Sequence, residues 1–389
     1  MEDPIKLHEK LRGKIVVSSK IKLNEETLPV AYTPGVAKAS NAIAKDKSQV
    51  NKLTGKWNSV PVISDGSAVL GLGNIGPEAA LPVMEGKAAI FAQFAGVDAV
   101  PICLDTQNTE EIIKTVKYLA PSFGGINLED ISAPRCFEIE QRLTEELNIP
   151  VFHDDQHGTA IVVLAGLINA LKVVGKDKNV KIVISGAGAA GIAISNLLFE
   201  YSFKNICMCD SRGVITDDRS ELNKQKEKVL KQSTASCTFG NCPQVLIGAD
   251  VLIGVSKPGQ FTAKDIKKMN TDAIVFAMAN PIPEIMPDEA RVGGAKVVAT
   301  GRSDFPNQIN NALVFPGLFR GLLDNEIQKV TTEIKIAVAE AIAKMIKTPN
   351  PKNIIPSIFE DGLVPTIAAS LKDFSPLSSQ AELREPLKN

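Results

Sequence analysis

Short apolar and β-branched runs recur through the second half of the chain, at Lys181 to Ser185, Asn205 to Asp210, Val251 to Val255, Ala273 to Ala279 and Lys296 to Thr300, with loops or helical segments between them. Runs of this length alternating with helices predict a parallel, doubly wound sheet. Upstream, Val60 to Ser64, Ala99 to Leu104, Gly125 to Leu128 and the run entering Val151 read as strands among helical stretches such as Gly86 to Gly96 and Gln107 to Leu119. Ser220 to Lys231 is charged and helical in character, and Ser233 to Pro243 is a polar loop. Ile327, Val330, Ile334, Val338 and Ile342 recur every three or four residues and predict one core-facing stripe of a long helix. The polar tail Ser375 to Asn389 is expected to be poorly ordered.

With 389 residues, 44% of them apolar and 22% charged, the chain has room for two globular domains. A net charge of −1 leaves no basic footprint for nucleic acid or an anionic membrane. The N-terminus lacks a secretory apolar core, and the longest apolar run, Ala160 to Leu171, is short for a bilayer, so a cytoplasmic protein is expected. The cysteines at 103, 136, 207, 209, 242 and 237 match no zinc spacing and are expected to be reduced, with Cys207 and Cys209 on one sheet face.

Two acidic pairs change the picture. Val151 to Gln156 closes a strand with Asp154 and Asp155 before a helix expected from about Gly158, and Glu129-Asp130 ends another extended run. Carboxylates arriving from two strand ends can converge on a hard divalent cation, although neighbours in one strand share an ion only where the chain turns. Either pair alone reads as a solvated turn. A domain boundary just after these carboxylates, with one domain over residues 1–157 and a second over 158–389, puts them at the edge of a cleft.

Gly186-Ala187-Gly188-Ala189-Ala190-Gly191 follows a strand and opens an apolar helix, and Asp210 ends the next strand. That order is the dinucleotide fingerprint: glycines at 186, 188 and 191 for turn, pyrophosphate approach and helix packing, Ala189 and Ala190 at the helix start, Asp210 for the ribose. The second domain is therefore expected to be of Rossmann type. Gly71 to Gly76 satisfies the same expression without the following strand and acid, and reads as a close-packed turn lining the cleft. Lys87 is one ammonium in an apolar segment, where burial favours a base, although most such lysines reach solvent. Tyr32 sits in a proline- and glycine-bent loop and by itself reads as packing.

Together, Tyr32 to Ala37, Gly71 to Gly76, Met84 to Lys87, Asn127 to Asp130, His153 to Thr159, Ala279 to Pro281 and the segments from Asn310 to Gly317 resemble the malic enzymes, in family order and over nearly the whole chain. The likeness is to the short, prokaryote-type form. It implies oxidative decarboxylation of (S)-malate to pyruvate and CO₂ with NAD or NADP, dependent on Mg²⁺ or Mn²⁺, by a homodimer. It also implies Tyr32 as general acid, Lys87 as general base tuned by Asp154, and Glu129, Asp130 and Asp155 as metal ligands. Asn280 and Asn310 would contact substrate or nicotinamide. Ala68 stands where larger relatives carry an arginine for a malate carboxylate, so a basic residue from a second subunit is one way to hold that group.

The nearest alternative is a malolactic enzyme that retains its NAD and yields lactate. A zinc hydrolase using His153 and His157 is a rival from another class, but it needs both histidines on one helix face, whereas His153 is expected to end a strand. Coenzyme choice leans towards NAD through Asp210, with Arg212 as the residue that would neutralise a 2′-phosphate.

Overall fold

The computed structural model describes residues 3–69, 71–233, 235, 237 and 240–376. The expected tail from residue 377 and part of the polar loop at 233–243 lie outside them. Two parallel sheets form the molecule. The first contains β1 (Ser59–Ser64), β2 (Asp98–Cys103), β3 (Ile126–Leu128) and β4 (Val151–His153) in the order β2-β1-β3-β4. The second contains β5 (Ile182–Ser185), β6 (Ile206–Asp210), β7 (Gly213–Val214), β8 (Val251–Gly254), β9 (Ala273–Ala277) and β10 (Ala295–Thr300) in the order β10-β9-β8-β5-β6-β7. Only the short β7 runs antiparallel, against β6. In each sheet the strand order reverses beside the first strand, at β1/β3 and at β5/β8, and crevices outside the carboxyl ends at such points are where ligands bind.

Apart from the edge strands β2 and β7, the strands read as continuous apolar runs because helices cover both faces. The helix Asp154–Val174 is the centre of that cover, with Ile161 to Ala165 and Leu167 fully buried. At 21 residues it is long and apolar enough, by length and composition, to cross a membrane. Here it is a core helix. One apolar cluster joins Val60, Met84, Phe91 and Phe152 around the first sheet to this helix and to Ile182, Ile253 and Phe276 of the second.

Several expected boundaries move. The central helix begins at Asp154, four residues before Gly158, so both aspartates lie in its first turn. Carboxylates are favourable there, beside the unpaired amides and the positive end of the helix dipole. The helix expected from Gly86 starts at Pro77 and runs to Ala95 through Pro82. Ala80, Met84, Ala88 and Phe91 bury one face of it, and that packing outweighs the backbone bond lost at the proline. The long helix expected from the apolar stripe is Thr332–Met345, capped by Thr331, so Ile327 and Val330 of the stripe precede it. The charged helix spans Lys224–Gln232, starting only after its Asn223 cap.

The cysteines also depart from expectation. Cys207 and Cys237 form a disulfide, with Cα atoms 5.7 Å apart, because the loop after the charged helix folds back over β6. Cys103, Cys136, Cys209 and Cys242 remain thiols. Cys207 and Cys209 do share one apolar cluster, as their alternation predicts.

Residues 3–57 form an arm with no buried residue. It carries short helices and exposes Ile5, Leu11, Val16, Val17, Ile21, Leu23, Leu28 and Val30. Lys14 ties it to the long helix by donating to the Pro82 carbonyl at 2.7 Å.

Candidate active site

The carboxyl ends of β3 and β4 bring the acidic residues together. Asp130 follows β3 with φ of +53°, an uncommon conformation for a residue with a side chain, and its amide donates to Asp155 Oδ2 at 2.8 Å. That turn is what lets adjacent residues face one point. Ligand atoms of Glu129, Asp130 and Asp155 lie within 4.8 Å of one another. Three hard oxygen donors at that spacing, two of them buried, match what Mg²⁺ or Mn²⁺ requires. Burial first, and then the neighbouring Asp155 carboxylate, push the Glu129 carboxyl above its usual range, against the pull of Lys87. Such carboxylates are poised for a cation.

Lys87 comes from the long helix Pro77–Ala95 and is buried. Its Nζ lies 2.6 Å from Glu129 Oε2, donates to Asp154 Oδ2, and sits 4.5 Å from the ring centroid of Phe315. Burial favours the neutral amine, but Asp154, Glu129 and Asp155 outweigh it and hold Lys87 as an ammonium. Asp154 is fully buried, and a side chain at Gly158 would collide with its Oδ1. Asn127 extends the cluster by donating to Glu129 Oε2 at 3.1 Å.

The glycine-rich turn after β5 has the shape of a phosphate cradle. At Gly186, φ is +116° and a Cβ would strike the Val255 carbonyl across the β5/β8 reversal; at Gly191 it would strike the Gly186 carbonyl. At Gly188, immediately before the helix Ala189–Glu200, it would meet nothing within 4 Å. Backbone is thus packed tightly on one side and open on the other, where a pyrophosphate can approach the helix N-terminus. Ala189 and Ala190 are the first two residues of that helix.

Asp210 ends β6, but its carboxylate is engaged. It accepts from Arg219 at 2.9 and 3.0 Å, from Lys226 Nζ at 2.7 Å and from the Arg212 amide at 2.9 Å. Burial raises its pKa, and these donors more than reverse that, holding it well below the carboxylate range. The Arg212 side chain is 68% exposed and pairs with Glu221 at 3.2 Å. Arg219 and Lys226, not Arg212, are the cations paired with the Asp210 carboxylate. No periodicity or motif spacing pointed to them.

Other expected residues spread around this centre. Asn280 is half-buried after β9, and Gly71 of the other glycine hexad packs onto its carbonyl, so that hexad lines the junction of the two sheets. Asn310 Oδ1 accepts from Ala312 N at 2.8 Å and caps a short turn. Tyr32 is 66% exposed on the arm and, among the described residues, is not a partner of Lys87, which contacts Glu129, Asp154 and Phe315. Ala68 donates its amide to the Asp130 carbonyl at 2.9 Å. The nearby Arg135 is engaged with Asp65 at 3.0 Å and with Ser67 and Ser132. His153 is fully buried in β4, which lowers its pKa to about 4, whereas His157 turns to Glu140 at 2.9 Å and Lys335 at 3.0 Å. Neither histidine belongs to a metal-type cluster among the described residues.

Known proteins resemble this chain over most of its length. Residues 10–112 and 106–144 match the sequence model described as malic enzyme, N-terminal domain, and residues 156–362 match malic enzyme, NAD binding domain. The chain is 52% identical to the bifunctional malic/malolactic enzyme of Bacillus subtilis over 95% of this chain and 92% of that one. It is 55% identical to the NAD-dependent malic enzyme of Geobacillus stearothermophilus over 90% and 74%, respectively. Its fold matches the crystal structure of an NAD-dependent malic enzyme from Thermotoga maritima with a TM-score of 0.92 at 47% identity, covering 96% of this chain and 99% of the other.

Proposed function

The chain belongs to the malic enzyme family, and from that premise we propose that it oxidises (S)-malate at C2 with NAD or NADP and releases C4 as CO₂, leaving pyruvate. The observation that carries this reading is the buried Lys87 ammonium between Asp154 and Glu129, beside the convergent carboxylates of Glu129, Asp130 and Asp155. Mg²⁺ or Mn²⁺ held by those three residues would supply Lewis-acid charge, and a nicotinamide coenzyme anchored over Gly186, Gly188 and Gly191 would supply the hydride acceptor.

The chain's own residues handle the protons. Lys87 Nζ, once its proton has passed to Asp154, takes the C2 hydroxyl proton as C2 is oxidised. A neutral lysine is a competent base; in the resting site the carboxylates keep the proton on Lys87, and a cation held by Glu129 and Asp155 would cancel two of those charges and let it pass to Asp154, whose carboxyl burial raises. Loss of C4 as CO₂ leaves an electron pair at C3, and Tyr32 delivers the proton there. Asn280 and Asn310 offer side-chain amides to the substrate carboxylates or the nicotinamide.

The same reading takes the protein to be a cytoplasmic homodimer. An arm of 3–57 that buries none of its own side chains, yet exposes a series of apolar ones, is suited to packing on a second copy. It would bring Tyr32 to the partner's Lys87 cluster. Lys20 and Lys22 travel on the same arm, a source for the cation that Ala68 cannot provide. The test is stoichiometry: malate should yield reduced coenzyme, CO₂ and pyruvate in equal amounts. Lactate without net reduced coenzyme would mark the malolactic reaction, the second activity in the name of the Bacillus subtilis relative.

A further inference from the structure

Glu140 lies on the buried face of the helix Arg135–Glu146, beneath the first turn that carries Asp154 and Asp155. Its Oε1 accepts the His153 amide at 2.8 Å, and its Oε2 accepts from Gln156 Nε2 at 3.1 Å and His157 Nε2 at 2.9 Å. On its other side His157 Nδ1 is 3.0 Å from Lys335 Nζ, on the helix Thr332–Met345. An ammonium only donates, so Nδ1 accepts and Nε2 carries the proton given to Glu140. The tautomer is fixed. Lysine, neutral imidazole and carboxylate thus connect two consecutive helices to a third far along the chain, and the Glu140 carboxylate ends on His153 and Gln156, the residues flanking Asp154 and Asp155.

Burial of such a chain costs desolvation that an apolar replacement would avoid, so stability alone explains it poorly. What it does supply is orientation. We propose that Lys335, His157 and Glu140 form a positioning relay that fixes the first turn of the helix Asp154–Val174, and with it the carboxylates of Asp154 and Asp155. None of the three touches the Lys87 cluster; each acts through the backbone of His153 or through its neighbour in the relay. Gly158 secures the opposite side, leaving room for Asp154 Oδ1. The proposal rests on the malic enzyme reading for the reaction it serves.

Glu140→Gln, Lys335→Met and the double variant test it in the full-length protein. Lys335 lines an open cavity of about 360 Å³, so its replacement spares the core even if the Glu140 variant folds poorly. Each single variant should weaken Mn²⁺ binding, read by the paramagnetic resonance of free Mn²⁺ without malate or coenzyme, and lower kcat, each on the order of tenfold. The double variant should lose no more than the worse single, since both interrupt one chain. Lys335→Arg, which retains a donor, should recover most of the loss. Unchanged Mn²⁺ affinity and kcat in folded single variants, or losses that multiply in the double variant, would overturn the relay. If the unaltered protein itself fails to oxidise malate with either coenzyme, the functional reading has failed instead; Mn²⁺ affinities still decide the relay.

Discussion

Lys87 Nζ lies 2.6 Å from Glu129 Oε2, with both side chains buried, and the same ammonium is in contact with Asp154. One cation therefore holds together a proposed metal ligand and a proposed proton acceptor. Lys87→Ala should reduce malate oxidation by roughly 10²–10⁴-fold while coenzyme affinity, measured by fluorescence titration, changes by no more than about twofold. Rapid malate oxidation by this variant near neutral pH would remove Lys87 from the role of base.

Tyr32 offers a test of how the site is completed. Lys87→Ala and Tyr32→Phe homodimers should each be nearly inactive. If the arm delivers Tyr32 to the partner, co-refolding equal amounts should restore activity, because each mixed dimer has one intact site, giving about a quarter of the unaltered rate. A mixture no more active than its components would place Tyr32 and Lys87 in the same subunit's site.

Arg219, Lys226 and Asp210 set the expectation for coenzyme choice. Arg219→Ala and Lys226→Ala should each lower kcat/KM for NADP relative to NAD on the order of tenfold, about 1.4 kcal/mol of discrimination. Arg212→Ala should leave that ratio within about twofold, since its side chain points to solvent and Glu221. Steady-state constants for both coenzymes decide the matter, and a selective loss in Arg212→Ala would contradict the arrangement around Asp210.

What the sequence makes legible, and what it does not, follows from the range of the interactions. Most strands of the two sheets are legible because burial on both faces demands unbroken apolar runs, whereas the two-residue β7 leaves no such run; the glycine turn is legible because its spacing is a local steric requirement. The end of β4 at His153 is legible, but the helix start at Asp154 is not, since Asp154-Asp155 reads as the close of the strand until the favourable N-terminal position of the aspartates is weighed. The Lys87 contacts join positions 87, 129 and 154, and the Asp210 cluster depends on how residues 211–226 fold back. Neither leaves a periodic trace. The Cys207–Cys237 link is not legible for the same reason: a separation of 30 residues carries no pairing rule.

Acid should expose the contribution of Glu140. Burial raises its carboxyl, but His157 and Lys335 outweigh that and bring it to about 2, below an unfolded value of roughly 4.3. A lowered folded pKa means that the unfolded chain binds more protons in this window. The stabilisation is complete above the unfolded value and is lost as pH falls from there towards about 2. Thermal unfolding midpoints should therefore fall more steeply with acid for the unaltered protein than for Glu140→Gln. Parallel curves would show that Glu140 is not a paired carboxylate in the folded state.

The most direct test of the central claim is one assay: purified protein with malate and Mn²⁺, followed by the absorbance of reduced coenzyme with NAD and with NADP, with pyruvate and lactate measured at the end. The account predicts malate-dependent formation of reduced coenzyme matched by pyruvate, abolished by removal of the metal. Lactate formed without net reduced coenzyme, or no turnover of malate with either coenzyme, would contradict it.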